Sequence, residues 1–501
     1  MEKRRLADDS QMRSEDRKKG DNKAEYRKMS GDIRMDRKIL YDILQPGTNF
    51  DIVERKLCIG GREAYFYGIS GFVTNDNVQR IIRFFLEIRS DEMPEKISAF
   101  AENFAAYGPV EQKNQMDQLV TQVLSGLAVL IVDGYTEALV FDVRNYPGRG
   151  VQEPEKDKVL RGARDGFTEN IIMNTALVRR RIRDPKLRIE IFKVGEASQT
   201  DIALVYMEDR VEQPLLDRIR ERLQKVKVDA LTMSQESLAE CIYNHKWFNP
   251  FPKFKFTERP DTTAACLLEG HLALLVDNSP SAMVLPASIF DLAEGADDYY
   301  FPPITGTYLR FSRIFTSLIA LILMPVYILL MENPGWLPEW LLFIRPKEAV
   351  NVPLPLQAFI LEFAVDGLRL ASMSTPNMLS TPLSIIAGIV LGDFSVQSGW
   401  FNAEIMLYMA FVTVANYTQT SYELGYAIKF LRLLLLALTA IFGIWGFAAG
   451  LLFTVVTIAC NKTIGGTSYI YPLIPFRWQN VKRRIFRPRL NYTEKKSKGQ
   501  P

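Results

Sequence analysis

Apolar residues are spread unevenly along this 501-residue chain. Before Ile314 they recur with the periods of ordinary helices and strands among many charges. From Ile314 to about Cys460 they fuse into long runs. The first half therefore reads as a water-soluble region and the second as a set of membrane-grade segments.

In the first half, Ala64–Phe72 is aromatic and β-branched, which predicts a strand. Asn77–Ile88 places Val78, Ile81, Ile82 and Phe85 on one helical face. Gln112–Leu127 has amphipathic helical spacing. Two short apolar runs follow, Ala128–Val132 and Ala138–Val143, separated by an Asp133-Gly134 turn, which is a hairpin signal. Asn170–Ile182 reads as a helix stopped by Asp184-Pro185. Ile189–Val194 and Asp201–Met207 read as strands, and Leu215–Val226 as a charged helix.

One unit recurs. Ser125–Asp133 is echoed by Glu269–Asp277, each an apolar run after a glycine and ending in aspartate. The echo fits two related subdomains, two strand pairs of one split sheet, or chance similarity between buried strands. The expected fold class is an α/β (α+β) N-terminal region of two subdomains, followed by an all-α polytopic membrane domain of four to six helices. The expected boundaries are a charged disordered tail at 1–38, subdomains at 39–150 and 151–303, a helical membrane domain at 304–476, and a basic tail at 477–501.

In the second half, Ile314–Met331 is uncharged and long enough to span. Arg310 and Arg313 precede it, which places the first half on the cytoplasmic side. Ile405–Tyr422 is a second run and Leu379–Val396 a shorter one. Leu433–Cys460 is a third, about 42 Å long as a helix against a hydrocarbon core of ~30 Å. It must tilt steeply or break near Gly443 or Gly446. Lys482, Arg483, Arg484, Arg487 and Arg489 make the C-terminus basic, so it too is expected inside.

Pro353–Ala371 differs from the other runs. Glu362, Asp366 and Arg369 fall within about 60° of arc on a helix, in an otherwise apolar setting. Charge at membrane depth is costly and faces a bundle interior, water or another charge. Three readings stay open: a face lining an ion path, a network of these three side chains that locks packing, and a helix lying at the interface.

Charge and motif content narrow the function classes. A net charge of +3 gives no basis for nucleic-acid binding. Four scattered cysteines and two histidines form no disulfide framework or metal site. No phosphate-binding, dinucleotide, nucleophile-elbow or zinc-protease motif is present, so neither cofactor nor enzymatic activity is expected. The Met1–Lys38 stretch lacks an apolar leader core. Arg179, Arg180, Arg181 and Arg183 close the helix at 170–182. They suit its dipole as a solvated helix end, or contact an acidic partner or lipid headgroups.

Several spaced stretches resemble a known family. Asn249-Pro-Phe-Pro252, Thr257-Glu-Arg-Pro-Asp261, Glu269-Gly270, Val276-Asp277-Asn-Ser-Pro280 and Asn351-Val-Pro353 resemble the A-subunit family of GerA-type spore germination receptors. Tyr146-Pro-Gly-Arg149, Arg161–Phe167, Glu169–Ile172, Asn174–Leu177, Ser421–Leu424 and Pro472–Phe476 resemble its stage V sporulation AF branch. The resemblance implies a multi-pass protein of the spore inner membrane with both termini on the core side. It implies a homo-oligomer, a ring, that conducts monovalent cations. The implied partners are membrane lipids, other germination proteins and a small membrane protein. The Pro353–Ala371 helix is implied as pore-lining. Two other classes remain: a membrane-anchored sensor or scaffold that conducts nothing, and a secondary transporter.

Overall fold

The computed structural model describes residues 28–72, 75–104, 110–146, 159–243, 248–374, 385 and 388–487. Most of the expected N-terminal tail, the end of the basic C-terminal tail and the first part of the 379–396 run lie outside the described residues. The chain forms two compact units. One comprises 1–158, 163–242 and 257–284; the other comprises 159–162, 243–256 and 285–501.

The first unit holds two five-stranded antiparallel sheets. Its first half runs α1 (Ile33–Leu44), β1 (Ile52–Ile59), β2 (Arg62–Ile69), α2 (Asn75–Leu86), α3 (Ile97–Phe104), β3 (Val110–Lys113), α4 (Met116–Leu124), β4 (Ala128–Val132) and β5 (Ala138–Phe141). The strand order is β1-β2-β4-β5-β3. Successive side chains of a strand point to opposite faces. Here Tyr65, Tyr67, Val129 and Ile131 pack with α1 and α4. Phe66, Leu130 and Val132 pack with Ile81, Ile82, Phe85 and Phe100 of α2 and α3. Both faces are covered, so β4 is buried at every position.

The second half continues α5 (Ile171–Arg181), β6 (Leu187–Val194), β7 (Thr200–Met207), α6 (Gln213–Lys225), α7 (Ser234–Ile242), β8 (Lys255–Thr257), α8 (Pro260–Glu269), β9 (Leu272–Val276) and β10 (Ala282–Leu285). Its sheet order, β6-β7-β9-β10-β8, repeats that of the first. The sequence echo falls on β4 and β9, which hold the same place in the two sheets. The repeat reaches individual hydrogen bonds. Asp133 Oδ1 accepts from the Ile33 amide and Asp277 Oδ1 from the Ile171 amide, each at the start of the helix that opens its half. Asp36 accepts from Ser30 as Asn174 does from Thr168. Each copy thus lies in its own sheet, and the two copies are not strand pairs of one split sheet.

The two sheets are joined through 49–51. The Phe50 amide donates to the Ile189 carbonyl, and the Ile189 amide to Asn49 Oδ1. Asp51 and Arg179 pair nearby at 2.6 Å, both side chains fully buried.

Two expectations change here. Residues 33–38, assigned to a charged tail, belong to α1, where Ile33, Asp36, Leu40 and Leu44 are buried. Dense surface charge hid that face. The helix expected from Gln112 begins at Met116, because 110–113 pair as an edge strand with β5.

The second unit is mainly helical. After α9 (Ile289–Ala293) and α10 (Asp297–Tyr300) come α11 (Pro303–Glu332), α12 (Leu354–Ser374), α13 (Ala403–Tyr417), α14 (Tyr422–Cys460) and α15 (Trp478–Ile485). A π-helical turn, Gly388–Phe394, lies between α12 and α13. Among the described residues, α11 and α14 are long and apolar enough to cross a membrane, and α13 is a shorter apolar helix. These are two clear candidates where four to six helices were expected. The charges of α12 and the shortness of α13 separate them from the other two.

α14 has 39 residues, and a straight helix of that length would run ~58 Å. It breaks at Gly443, whose φ of 58° and ψ of −133° are non-helical. A Cβ on Gly446 would collide with the Leu438 carbonyl, and one on Gly450 would meet Leu435 at 2.7 Å. In a continuous helix Leu435 and Gly450 would be ~22 Å apart. The two halves therefore fold back on each other across Gly443, so of the two readings of the long 433–460 run, a steep tilt or a break, the break is the one found.

Candidate functional site

The charged face of α12 is positioned from its N-terminal end. Gln357 and Asn402 exchange two hydrogen bonds of 2.9 Å in a buried setting, which clips α12 to the start of α13. One turn on, Ala358 and Leu361 enter a core with Met324, Ile328, Ile405, Met409 and Leu436. That packing turns Glu362 toward the first half of α14.

There Glu362 meets two cations. Its Oε1 lies 2.6 Å from Arg432 Nε and its Oε2 lies 3.3 Å from Lys429 Nζ. Lys429 also pairs with Asp366, one helical turn beyond Glu362. Arg432 sends a further hydrogen bond to the Ala320 carbonyl of α11 at 2.9 Å. Glu362, Lys429 and Arg432 are buried, whereas the Asp366 side chain keeps 32% of its exposure. Spacings of four on α12 and three on α14 put two acids opposite two bases, because both spacings return to one helix face.

Arg369 completes the face differently. Its guanidinium lies over the rings of Tyr422 and Tyr426, at 4.9 Å each, and of Tyr417 at 5.7 Å. Cation–π attraction of this kind is strengthened where water is excluded. The three α12 residues thus share a face but not one network: the acids pair with α14 and Arg369 sits on tyrosines. Sequence reading missed Lys429 and Arg432. Their signal was there, two unmatched cations spaced as Glu362 and Asp366 require, just ahead of an apolar run. They fall outside the uncharged run, which begins at Leu433, whereas the helix itself begins at Tyr422.

A second charge cluster lies at the beginning of α11. Arg313 Nη1 and Nη2 contact Asp298 at 2.9 and 3.0 Å. Arg310 pairs with Glu294 and Asp298. Arg484 of α15 reaches Asp291 at 2.6 Å and Glu294 at 3.3 Å. The arginines read as flanking charges are therefore partly built into the protein.

Elsewhere in this unit, Lys253 is buried. Its ammonium donates to Asn461 Oδ1 and to the Lys462 carbonyl at 2.6 Å, and lies 5.0 Å from the Tyr469 ring. Burial lowers its pKa to about 8.

The four arginines at the end of α5 separate. Arg179 is inside, bidentate to Asp51 and bonded to the Asp184 and Leu187 carbonyls. Arg181 holds both oxygens of Asp165 at 2.6 Å. Arg180 is exposed and lies 4.7 Å over the Tyr146 ring; Arg183 is exposed. Among the described residues, no group of three or more His, Cys, Asp or Glu could hold a metal.

Residues 38–498 match the family model described as Bacillus/Clostridium GerA spore germination protein. The chain is 38% identical over 442 residues to stage V sporulation protein AF of Bacillus subtilis (strain 168), covering 87% of this chain and 89% of that protein. It is 29% identical over 449 residues to spore germination protein KA of the same organism, covering 88% and 82%. Among solved structures, the N-terminal domain of the A subunit of the Bacillus megaterium spore germinant receptor GerK3 aligns with a TM-score of 0.41 and 26% identity. That alignment covers 52% of this chain and 97% of that one.

Proposed function

The chain belongs to the GerA family of spore germination proteins, and from that premise we propose that it is an integral membrane subunit of a germination complex whose α12 face contributes to an ion path. The subunit lies in the spore inner membrane with both termini on the core side. It assembles with further copies of itself into a ring, together with other germination proteins, and passes monovalent cations.

The observation that carries this reading is the charged α12–α14 contact. Ionisable side chains are rarely kept among apolar helices unless they serve a pathway or a switch. Asp366 is the acid of the network that retains exposure, so it is the group able to attract a cation, while Lys429 and Arg369 moderate its field. The test is Asp366→Ala, with ion release followed during germination at unchanged protein level and localisation. Altered release supports the pathway, and normal release sinks it.

A scaffold reading draws on a different aspect of the same contact. Glu362 is fully paired by Arg432 and Lys429, as a packing lock would be. Under that reading the reconstituted protein conducts nothing, and Arg180 and Arg183 contact an acidic partner or lipid headgroups.

A further inference from the structure

We propose that the outer face of the C-terminal segment Leu473–Phe486 is an interfacial anchor that lies against an anionic lipid surface. The proposal rests on the membrane reading above and adds a site to it.

α15 has two unlike faces. Its inner face is docked: Asn480 donates to the Tyr471 hydroxyl at 2.6 Å, Val481 is buried, and Arg484 pairs with Asp291 and Glu294. Its outer face carries Trp478 and Lys482, and the turn before it carries Leu473, Ile474 and Phe476; all five are exposed. Phe476 and Trp478 lie with ring centroids 6.3 Å apart. Phe486, after the helix, is also exposed. A run of large apolar side chains this dense is not left in water without a partner.

Its depth identifies that partner. The Arg487 amide donates to Thr307 Oγ1 at 3.1 Å, and Arg310 Nη1 donates to the Arg484 carbonyl at 3.2 Å. Both bonds fix the segment to the first turns of α11, just before its uncharged run begins at Ile314. On that end of α11, Ile304, Tyr308, Phe311 and Phe315 are exposed. Their spacing makes one stripe. Tryptophan and tyrosine favour this level of a bilayer because the ring is apolar and one edge is polar.

Charge selects the lipid. The acids nearest the segment, Asp291, Glu294 and Asp298, are engaged by Arg310, Arg313 and Arg484. Arg477 and Lys482 are exposed on the outer side among the aromatics. Basic groups mixed with rings at this depth match anionic headgroups, which attract each cation within a Debye length of the surface.

The test uses the full-length chain with Cys58, Cys241, Cys266 and Cys460 replaced by serine. A nitroxide is placed singly at 476, 478 or 482, and at 318 in the middle of α11. The protein is reconstituted in vesicles of phosphatidylcholine alone or with phosphatidylglycerol. Collision with oxygen and with a water-soluble nickel chelate reports depth. The expected result is high oxygen and low nickel accessibility at 476 and 478, rising nickel accessibility at 482, and deeper seating when phosphatidylglycerol is present. Arg477→Gln with Lys482→Gln should erase that lipid dependence. High nickel accessibility at 478 would place the face in water and overturn the proposal. Low accessibility to both reagents would mean that protein covers it, a second copy or another chain, and would equally overturn it. If 318 is also open to nickel, the membrane reading itself fails, whereas a protected 318 beside an open 478 rejects the anchor alone.

Discussion

Glu362 on α12 and Arg432 on α14 meet at 2.6 Å with both side chains almost wholly shielded from solvent. Shielding makes the pair asymmetric in its consequences. Removing Arg432 leaves the buried Glu362 carboxylate with Lys429 alone, a cation it shares with Asp366, whereas removing both leaves Lys429 to Asp366 and a hydrogen-bonding problem of ordinary size.

Arg432→Leu is therefore expected to destabilise the helical unit by about 3–5 kcal/mol, and Glu362→Gln with Arg432→Gln to recover most of the loss. Thermal unfolding of the detergent-solubilised chain, followed by helical circular dichroism, checks this. Equal damage in the single and double variants would mean that the pair contributes through packing alone.

The matched aspartates of the two sheets make a second case. Asp133→Ala and Asp277→Ala each remove an acceptor from a helix N-terminus, at a cost of ~2 kcal/mol. The sites lie in separate sheets, so the double variant should show the sum. Denaturant unfolding of the three variants measures it.

Gly443 has open space where a side chain would go but a backbone that L-residues avoid. Gly443→Ala is expected to strain the turn by about 1–3 kcal/mol. A disulfide engineered between positions 435 and 450 should form readily in the native background and poorly in the variant. Non-reducing electrophoresis gives the yield.

Lys253 supplies a pH dependence. Its folded pKa, about 8, lies below its ordinary value of 10.5. Between these limits the unfolded chain binds more protons, so stability rises with pH there. Charging the buried amine is fully unfavourable below about pH 8 and no longer matters above about 10.5. Lys253→Met should thus gain on the native protein at pH 7 relative to pH 10.5. Melting temperatures of the two proteins across that range test it.

Much of this architecture could be read from the chain. The continuous apolar runs at 128–132 and 138–141 located two central strands, and the echo at 272–276 located the corresponding strand of the second sheet. Excess length left a steep tilt or a break near Gly443 or Gly446, and only the backbone at Gly443 decides between them. The failures share a physical cause: single-chain patterns report exposure, not pairing. Arg179 reads as a surface cation until Asp51, far back in sequence, is brought beside it. Lys429 and Arg432 lie just ahead of the apolar run at Leu433, and nothing in that stretch alone marks them until Glu362 and Asp366 face them. β3 is a two-sided polar edge with no alternation to betray it, and only its pairing with β5 defines it.

The hydrogen bond from the Arg487 amide to Thr307 Oγ1 also acts as a counting rule. It closes the chain between those residues into a loop whose ends lie on one side of the layer that Ile314–Met331 would cross. A closed loop pierces a sheet an even number of times. Whatever α12, the stretch 375–402, α13 and the two arms of α14 each do, their crossings and that of α11 would together make an even total. A deletion that removes one crossing without a second would tear α15 from α11.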